Sequence, residues 1–170
     1  MNADVQPTTA EIIYSPEGSG IPSVIKAPAP WQLSGDGFIA TFWLPEQLDD
    51  NATFTPDTLK GRRSGKLATM MFVNYHTSDV GPYQELLFIP GQFKIKGKNR
   101  RSITKIYVNT WESVVNGNIN WGIPKEQADF KVEALKGVTT VQLSQSGHLF
   151  AEFKFKEMGL KMPVSTRLVP

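Results

Sequence analysis

Apolar and polar positions along this chain mostly follow the period of β-strands. Runs rich in aromatic and β-branched residues, bounded by Gly, Pro, Asn, Asp and Ser, are typical of strands. They predict strands at residues 11–14, 37–44, 66–75, 83–89, 93–95, 102–108, 130–135, 138–145 and 149–156. Residues 97–101 are interpreted as the turn of a hairpin, and residues 162–170 as an extended run without an evident partner. The pattern therefore predicts a mainly β fold without an internal repeat.

One or two short helices interrupt the strands. Residues 45–50 begin with a proline, which suits the first turn of a helix. Asn109 can cap a second helix over residues 111–116, and Glu112 follows the cap by three residues, as in a capping box. Gly117 is suited to end this second helix after fewer than two turns. The helices are therefore expected to be short connections between strands.

Length and composition indicate a globular protein. The 170 residues are 40% hydrophobic, with 14 glycines and 12 prolines, which suits one domain with a substantial core. The sequence has no cysteine, so disulfide bonds and thiol catalysis are excluded. It shows neither an apolar run of about 20 residues nor a secretory signal. We therefore expect an N-terminal arm over residues 1–30, one domain over residues 31–170, a cytoplasmic location and no membrane partner.

Charge and motif patterns argue against several other classes of site. The net charge of +2 is too small to indicate nucleic acid, and only Tyr107 could stack on a base near the basic residues of 94–105. His76 and His148 are the only histidines, and the carboxylates lack the spacing of metal ligands. Neither a Gly-x-Ser-x-Gly nor a phosphate-loop pattern occurs. We therefore expect no metal site and no nucleic-acid partner.

An unusual lysine lies in the segment Trp121-Gly122-Ile123-Pro124-Lys125-Glu126. Pro124 fixes its own φ and favours an extended conformation at Ile123, whereas Gly122 allows a tight turn. The apolar, conformationally restricted neighbours suggest that Lys125 is held in the interior. Burial disfavours an ammonium ion, and a neutral lysine amine can attack a carbonyl group to form a Schiff base. The segment by itself leaves the alternative of an exposed Lys125 on a turn open.

A second candidate residue lies on the predicted strand over residues 83–89. Alternate residues of a strand share a face, so Tyr83, Glu85, Leu87 and Ile89 lie together. A carboxylate in such an apolar row is paired, functional, or close to the exposed end of the strand. Periodicity leaves these three alternatives open for Glu85.

Three sequence blocks together resemble the acetoacetate decarboxylase-like family. They are Gly81-Pro82-Tyr83-Gln84-Glu85, Tyr107-Val108-Asn109 with the helix after it, and Trp121-Gly122-Ile123-Pro124-Lys125. The first looks like the family's Gly-Pro-Tyr-x-Glu strand, and the last resembles its Trp-Gly-x-Pro-Lys motif. The resemblance covers the chain from about residue 37 onward and implies an antiparallel β-barrel or cone. It also implies that Lys125 is the Schiff-base nucleophile, because activation of a lysine by desolvation or by a nearby cation is the known device of this very family.

The resemblance implies a carbon–carbon lyase that acts on a keto acid or a related carbonyl compound. The reaction would be a decarboxylation, or related aldol or dehydration chemistry, and the lysine would need no metal or organic cofactor. Glu85 is the expected group for proton transfer or positioning, and Tyr83, Trp121 and Ile123 are expected to line the substrate pocket. The alternative is a non-catalytic barrel that binds a small apolar or carbonyl-bearing ligand. A purely structural or interaction module is the third possibility.

Several positions differ from the family's decarboxylases. Glu126 stands where they carry a second lysine, and its charge would favour the ammonium form of Lys125 if the two groups were close. Asp36 lies in a region where the decarboxylases have an arginine for the substrate carboxylate. Asn118 and Asn120 replace an Arg-Glu pair of many members. The chain also ends before the strands that complete the barrel in relatives, so we expect a barrel incomplete at the C-terminus or a homo-oligomer that closes it.

Overall fold

The computed structural model describes residues 11–15, 17–45, 47–157 and 163. The chain divides into two compact units, Met1–Ala128 and Asp129–Pro170. The described elements of the first unit are β1 (Ile12–Ile13), β2 (Val24–Ile25), β3 (Ser34–Trp43), a 3-10 turn (Asp57–Leu59), β4 (Leu67–Thr77), β5 (Tyr83–Ile89), β6 (Gln92–Ile95), β7 (Lys98–Arg101), β8 (Lys105–Val108), α1 (Trp111–Trp121) and β9 (Lys125–Gln127). Those of the second unit are β10 (Asp129–Leu135), β11 (Val138–Gln145) and β12 (His148–Lys156). The predicted mainly β character is therefore confirmed.

A five-stranded sheet forms the centre of the first unit, with the strand order β3-β4-β5-β8-β9. Its pairs are antiparallel except for β8 and β9, which run parallel. Parallel neighbours need a crossover connection, and here α1 provides it. Ile106 on β8 lies opposite Lys125 on one side and Leu87 on the other, while Val108 lies opposite Glu85. The register therefore brings the lysine and the glutamate to the same face of the sheet.

Helix α1 covers this face of the sheet. Tyr83, Val108 and Val114 form a buried cluster beneath the helix, and Tyr75 and Trp111 are among the residues packed against it. Val108 is completely buried, and burial of one such aliphatic side chain stabilises a fold by about 1.5–3 kcal/mol. The packing fixes α1 against β5, which carries Glu85, and against β8, which pairs with the strand of Lys125.

The remaining strands form small antiparallel sheets. In the first unit β1 pairs with β2, and β6 pairs with β7. In the second unit β10, β11 and β12 form a three-stranded meander. Three hairpins turn on a residue followed by glycine, with positive φ at both positions: Lys96-Gly97, Lys136-Gly137 and Ser146-Gly147. Two-residue hairpin loops require this conformation, so the first turn lies at 96–97 and residues 98–101 form a strand.

The predicted boundaries of the helices need correction. The predicted helix over residues 45–50 is wrong, because the described residues there form turns or irregular structure. The Asp49 carboxylate accepts a hydrogen bond from the Ala52 N–H at 2.7 Å, and such local bonds compete with a helix. Thr110 occupies the N-cap position of α1, whereas the Asn109 side chain accepts a hydrogen bond from the Gln84 N–H on β5.

The end of α1 was also predicted wrongly. The helix continues through Gly117 to Trp121, and Gly122 adopts the left-handed conformation, with φ 63°, at its C-cap. The Gly122 N–H donates to the Asn118 carbonyl at 2.9 Å, which is how glycine commonly ends a helix. The predicted strand over residues 102–108 begins three residues later, at Lys105. The extended run predicted at 162–170 lies outside the described residues except for position 163, and the boundary predicted at residue 31 stays a prediction.

Candidate active site

The end of α1 holds Lys125 at the first position of β9. The Lys125 backbone N–H donates to the Asn118 side-chain oxygen at 3.0 Å and to the Ile123 carbonyl at 2.7 Å. Since Lys125 pairs with Ile106 of β8, its side chain points to the face that α1 covers. Only 6% of the residue is exposed. The amine therefore lies in the interior of the first unit, as the surrounding sequence suggested.

The Lys125 amine has three polar partners. Its Nζ lies 3.0 Å from Glu85 Oε2, 2.9 Å from Ser113 Oγ and 3.5 Å from the Tyr83 hydroxyl. It also lies over two aromatic rings, 4.9 Å from the ring centre of Tyr83 and 5.5 Å from that of Trp31. The structure thus brings the two predicted catalytic residues into direct contact.

Glu85 is buried, with 6% of the residue exposed. Of the three alternatives that the sequence left open, an exposed position is therefore excluded, and the carboxylate is paired with Lys125. Two tyrosines lie on the same face, with the ring centres of Tyr75 and Tyr83 4.8 Å apart. Burial and the nearby charge of Glu85 raise the pKa of both tyrosine hydroxyls. Both hydroxyls therefore keep their protons in neutral solution.

Helix α1 approaches the Lys125 side chain closely at Gly117. A Cβ added at Gly117 would lie 2.8 Å from Lys125 Cδ and 3.0 Å from Cε, and such distances are shorter than carbon–carbon contacts of about 3.5–4.0 Å. Ser113, one turn earlier on the same helix face, is completely buried and accepts the hydrogen bond from Nζ. We did not predict a role in the site for either residue, although small residues four apart in a helix were a usable signal.

The N-terminal segment places Trp31 beside the amine. Asn116 accepts a hydrogen bond from the Ala27 N–H at 2.7 Å, and Asn120 donates to the Ala27 carbonyl at 2.8 Å. The Trp31 indole N–H donates to the same carbonyl at 2.9 Å. Its ring meets the Trp121 ring edge-on, with centres 4.7 Å apart. No pattern in the sequence around Trp31 indicated this placement, which depends on contacts with a helix about 90 residues later.

An open cleft of about 210 Å³ lies next to the amine. Tyr83, Trp121 and Ile123 line it together with Lys125 and Glu85, so the structure brings all five sequence-predicted site residues together. The other lining residues are Trp31, Leu33, Tyr75, Ile103 and Ile106. Pockets for drug-sized ligands are about 300–1,000 Å³, so this cleft suits a small ligand. Among the described lining residues, Lys125 and Glu85 are the only charged ones.

Glu126 points away from this cleft. It pairs with Tyr107 of β8 and therefore lies on the opposite face of the sheet from Lys125. Its carboxylate lies 2.6 Å from Lys105 Nζ. Burial disfavours the Lys105 ammonium, but the interactions with Glu126 and Tyr107 together outweigh burial and raise the Lys105 pKa. The acid that follows the motif lysine is thus paired with a different lysine.

Asp36 is also directed away from the cleft. It pairs with Asn74, which in turn pairs with Gln84, so it shares the face opposite to that of Glu85. Its carboxylate lies 3.1 Å from His76 Nε2, and both side chains are exposed. Asp36 therefore does not line the space in which a substrate would lie.

The described part of the chain contains no group of three or more His, Cys, Asp or Glu residues that could hold a metal ion. No helix in that part is both long enough and apolar enough to cross a membrane. The predicted lack of a cofactor stays a prediction.

Comparisons with known proteins agree with the resemblance in the motifs. The family model described as acetoacetate decarboxylase (ADC) matches residues 25–167. The crystal structure of acetoacetate decarboxylase from Legionella pneumophila superposes with a TM-score of 0.63 at 14% identity, over 79% of this chain and 53% of that one. A second acetoacetate decarboxylase structure gives a TM-score of 0.59 at 12% identity, over 75% of this chain and 50% of that one. A search of curated protein sequences finds no match.

These comparisons differ in what they show. At such low identity the two structures show a shared fold, and they confirm the predicted fold class. The chain spans about half the length of these two solved structures. The family model covers most of the sequence, including the strand of Glu85, helix α1 and the segment of Lys125. The chain therefore belongs to the acetoacetate decarboxylase family.

Proposed function

We propose that this protein is a Schiff-base enzyme that acts on a keto acid or a related carbonyl compound, with Lys125 as the nucleophile. The observation that carries the proposal is the buried Lys125–Glu85 pair, 3.0 Å apart, beside a small aromatic and aliphatic cleft. Family membership supports decarboxylase-like chemistry in general. The roles of the individual residues are inferred from their contacts.

The first step joins the substrate to Lys125. Attack requires an unprotonated amine, and Glu85 is close enough to accept a proton from the ammonium. Nζ then attacks the carbonyl carbon and a C–N bond forms. The carbonyl oxygen leaves as water with one proton from the amine and one from Glu85, which leaves a positively charged iminium. The Glu85 carboxylate and the ring faces of Trp31 and Tyr83 favour this cation, and a cation–π contact contributes about 0.5–2 kcal/mol.

The second step breaks a bond to the carbon next to the iminium. In a 3-oxo acid this is the bond to the carboxylate. Carbon dioxide leaves, and the electron pair of the broken bond forms the C=C bond of an enamine. Glu85, which gave up its proton in the first step, takes a proton from solvent and passes it to the enamine carbon. Water then hydrolyses the iminium, releases the ketone and restores the amine. Aldol-type and dehydration reactions use the same electron sink and differ in the bond that breaks.

Ser113, Tyr83 and Asn118 act as positioning residues in this proposal. Ser113 Oγ accepts a hydrogen bond from Nζ, and Asn118 holds the Lys125 backbone. The Tyr83 hydroxyl lies 3.5 Å from Nζ and remains protonated in neutral solution. Together these contacts restrict the direction from which a carbonyl carbon can approach, and such orientation supplies a large part of enzymatic rate enhancement.

A ligand-binding protein without turnover is the second candidate function. It is favoured by one observation: Lys125 is the only cation among the described residues that line the cleft, so a substrate carboxylate has no separate partner. A binder would form a reversible complex or a stable imine, and no product would leave it.

Reductive trapping tests the proposal. The protein is incubated with a panel of keto acids, ketones and aldehydes in the presence of cyanoborohydride, and the adducts are detected by intact mass and located by peptide mapping. We expect one adduct on Lys125, lost in Lys125→Ala. Lys105→Ala is the matched control, since Lys105 is also paired with a glutamate in the same sheet, and it should leave the adduct unchanged.

Two outcomes would oppose the proposal. If no carbonyl compound in the panel gives an adduct on the folded wild-type protein, Lys125 is not the expected nucleophile. If adducts form but no substrate is consumed when the reductant is omitted, the ligand-binding alternative is favoured. Circular dichroism of each variant shows whether a lost adduct reflects lost chemistry or lost folding.

A further inference from the structure

The charges inside the cleft restrict the kind of substrate that it can accept. Lys125 and Glu85 have opposite charges, and their side chains are only 4% and 8% exposed. The other eight lining residues are aromatic or aliphatic. The two charges of the site thus balance each other, and the other described lining residues include no ion that could pair with a third charge.

From this balance we infer that the cleft selects a neutral carbonyl compound, an aldehyde or ketone with an aliphatic or aromatic substituent, over a keto acid. The inference rests on the proposed function, because it names the substrate class of the same Lys125 nucleophile. It goes beyond the proposed function because it distinguishes neutral aldehydes and ketones from keto acids, although both can form a Schiff base with a lysine.

The net charge of the cleft differs between the two classes. With a neutral substrate, the iminium on Lys125 takes the place of the ammonium, so Glu85 still faces one positive charge and the net charge stays zero. With a keto acid, the substrate carboxylate and Glu85 share this one cation, and the net charge becomes negative. A carboxylate that lies among these aromatic and aliphatic side chains without a partner of its own is disfavoured, because the hydration that it loses is not compensated.

Two other basic residues of the first unit do not change this balance. Lys105 lies on the opposite face of the sheet and is bound to Glu126. His76 does not line the cleft either, and its ring contacts Asp36. The Tyr75 and Tyr83 hydroxyls can donate hydrogen bonds to a carboxylate, but they supply no charge.

A pair of compounds with the same shape tests the inference. In 5-methylhexan-2-one an isopropyl group replaces the carboxylate of 4-oxopentanoate, while the methyl ketone is unchanged. Cyanoborohydride transfers hydride to the C=N bond of the imine, so each compound leaves a permanent adduct on the amine. Trapping rates are measured below saturation by intact mass and divided by the rates with a simple primary amine, which removes differences in intrinsic reactivity.

We expect the ketone to be trapped at least about tenfold faster than the keto acid, because charge burial without a partner is costly. Leu33 lines the cleft and is 40% exposed, so a longer side chain can enter from this position. Leu33→Arg should raise the rate for 4-oxopentanoate and reduce the ratio toward one. Leu33→Met, the uncharged control, should keep the wild-type ratio.

The outcomes separate this inference from the proposed function. Equal or faster trapping of 4-oxopentanoate on Lys125 of the wild-type protein would overturn the inference and leave the nucleophile established. A ratio that Leu33→Arg leaves unchanged would refute the explanation by charge. If neither compound gives an adduct that Lys125→Ala abolishes, the proposed function fails and the inference falls with it.

Discussion

The close approach of α1 to Lys125 predicts that Gly117→Ala slows the reaction of the amine while the protein keeps most of its stability. The new Cβ would lie 2.8 Å from Lys125 Cδ, whereas an ordinary carbon–carbon contact is about 3.5 Å or longer. The lysine side chain must therefore move by about 0.7 Å or more. Because Ser113 lies on the same helix face, its 2.9 Å bond to Nζ would lengthen beyond the usual range of about 2.7–3.2 Å.

The two effects on stability partly cancel. Alanine is favoured over glycine inside a helix by about 0.8–1.0 kcal/mol, while loss of a hydrogen bond from a charged group costs about 1.5–3 kcal/mol. The free energy of unfolding should therefore fall by only about 0.5–2 kcal/mol. A displacement of about 1 Å at a reacting group can reduce a rate by about 100-fold. We expect the trapping rate of a reactive ketone to fall by about 10- to 100-fold.

Chemical denaturation and the trapping rate, measured on the same preparation, check this prediction. Gly65→Ala is the matched control, because a Cβ there would meet its nearest atoms at an ordinary 3.5 Å. A wild-type trapping rate in Gly117→Ala would refute the idea that the helix positions the amine. A loss of stability above about 4 kcal/mol would instead indicate general disruption of packing.

Two further predictions concern the groups around the amine. Asn116→Ala removes two hydrogen bonds, one from Asn116 to the Ile25 carbonyl and one from the Ala27 N–H to Asn116. The free energy of unfolding should therefore fall by about 2–4 kcal/mol. An unchanged denaturation midpoint would contradict the idea that Asn116 anchors the segment around Ala27. Burial, and after it the charge of Glu85, raises the Tyr83 pKa in the folded state. The stabilisation that this shift reflects is therefore present below the unfolded pKa of about 10 and is lost as the pH rises above that value. In Tyr83→Phe, the fall of unfolding free energy with pH above about 10 should be less steep by about 1.4 kcal/mol per pH unit, and equal slopes in the two proteins would contradict the shift.

The longer strands could be predicted because alternation of apolar and polar residues decides them, whereas the short strands β2, β7 and β9 were not predicted. Alternation along β5 placed Tyr83 and Glu85 on one face, and the structure has them there. The end of α1 could not be predicted in this way, because two glycines compete for the same role. Gly117 lies inside the helix, where Lys125 packs too closely for a larger residue, and this contact is invisible in a local pattern. Gly122 then ends the helix.

Only the site residues that lie within recognisable sequence motifs could be predicted. Lys125 and Glu85 stand in recognisable blocks, and the sheet joins them through β8. Trp31 stands in no such block. Its position follows from hydrogen bonds between Ala27 and α1. Ser113 stands in a helix that was predicted too short to show its spacing from Gly117. Residues placed by distant parts of the chain thus escaped prediction, whereas residues placed by their own strand did not.

The sheet contains two Lys–Glu pairs on opposite faces, and their difference explains why only one is proposed to react. The Lys105–Glu126 pair is 2.6 Å apart and the Lys125–Glu85 pair is 3.0 Å apart, so distance does not distinguish them. Exposure does, since the Lys105 and Glu126 side chains are 20% and 46% exposed, against 4% and 8% for the inner pair. Water competes with the outer pair and stabilises its ions, whereas the inner amine faces an aromatic cleft in which a carbonyl compound can lie. Because Lys125 and Glu126 are adjacent on one strand, the alternation of β9 assigns these two residues to the two environments.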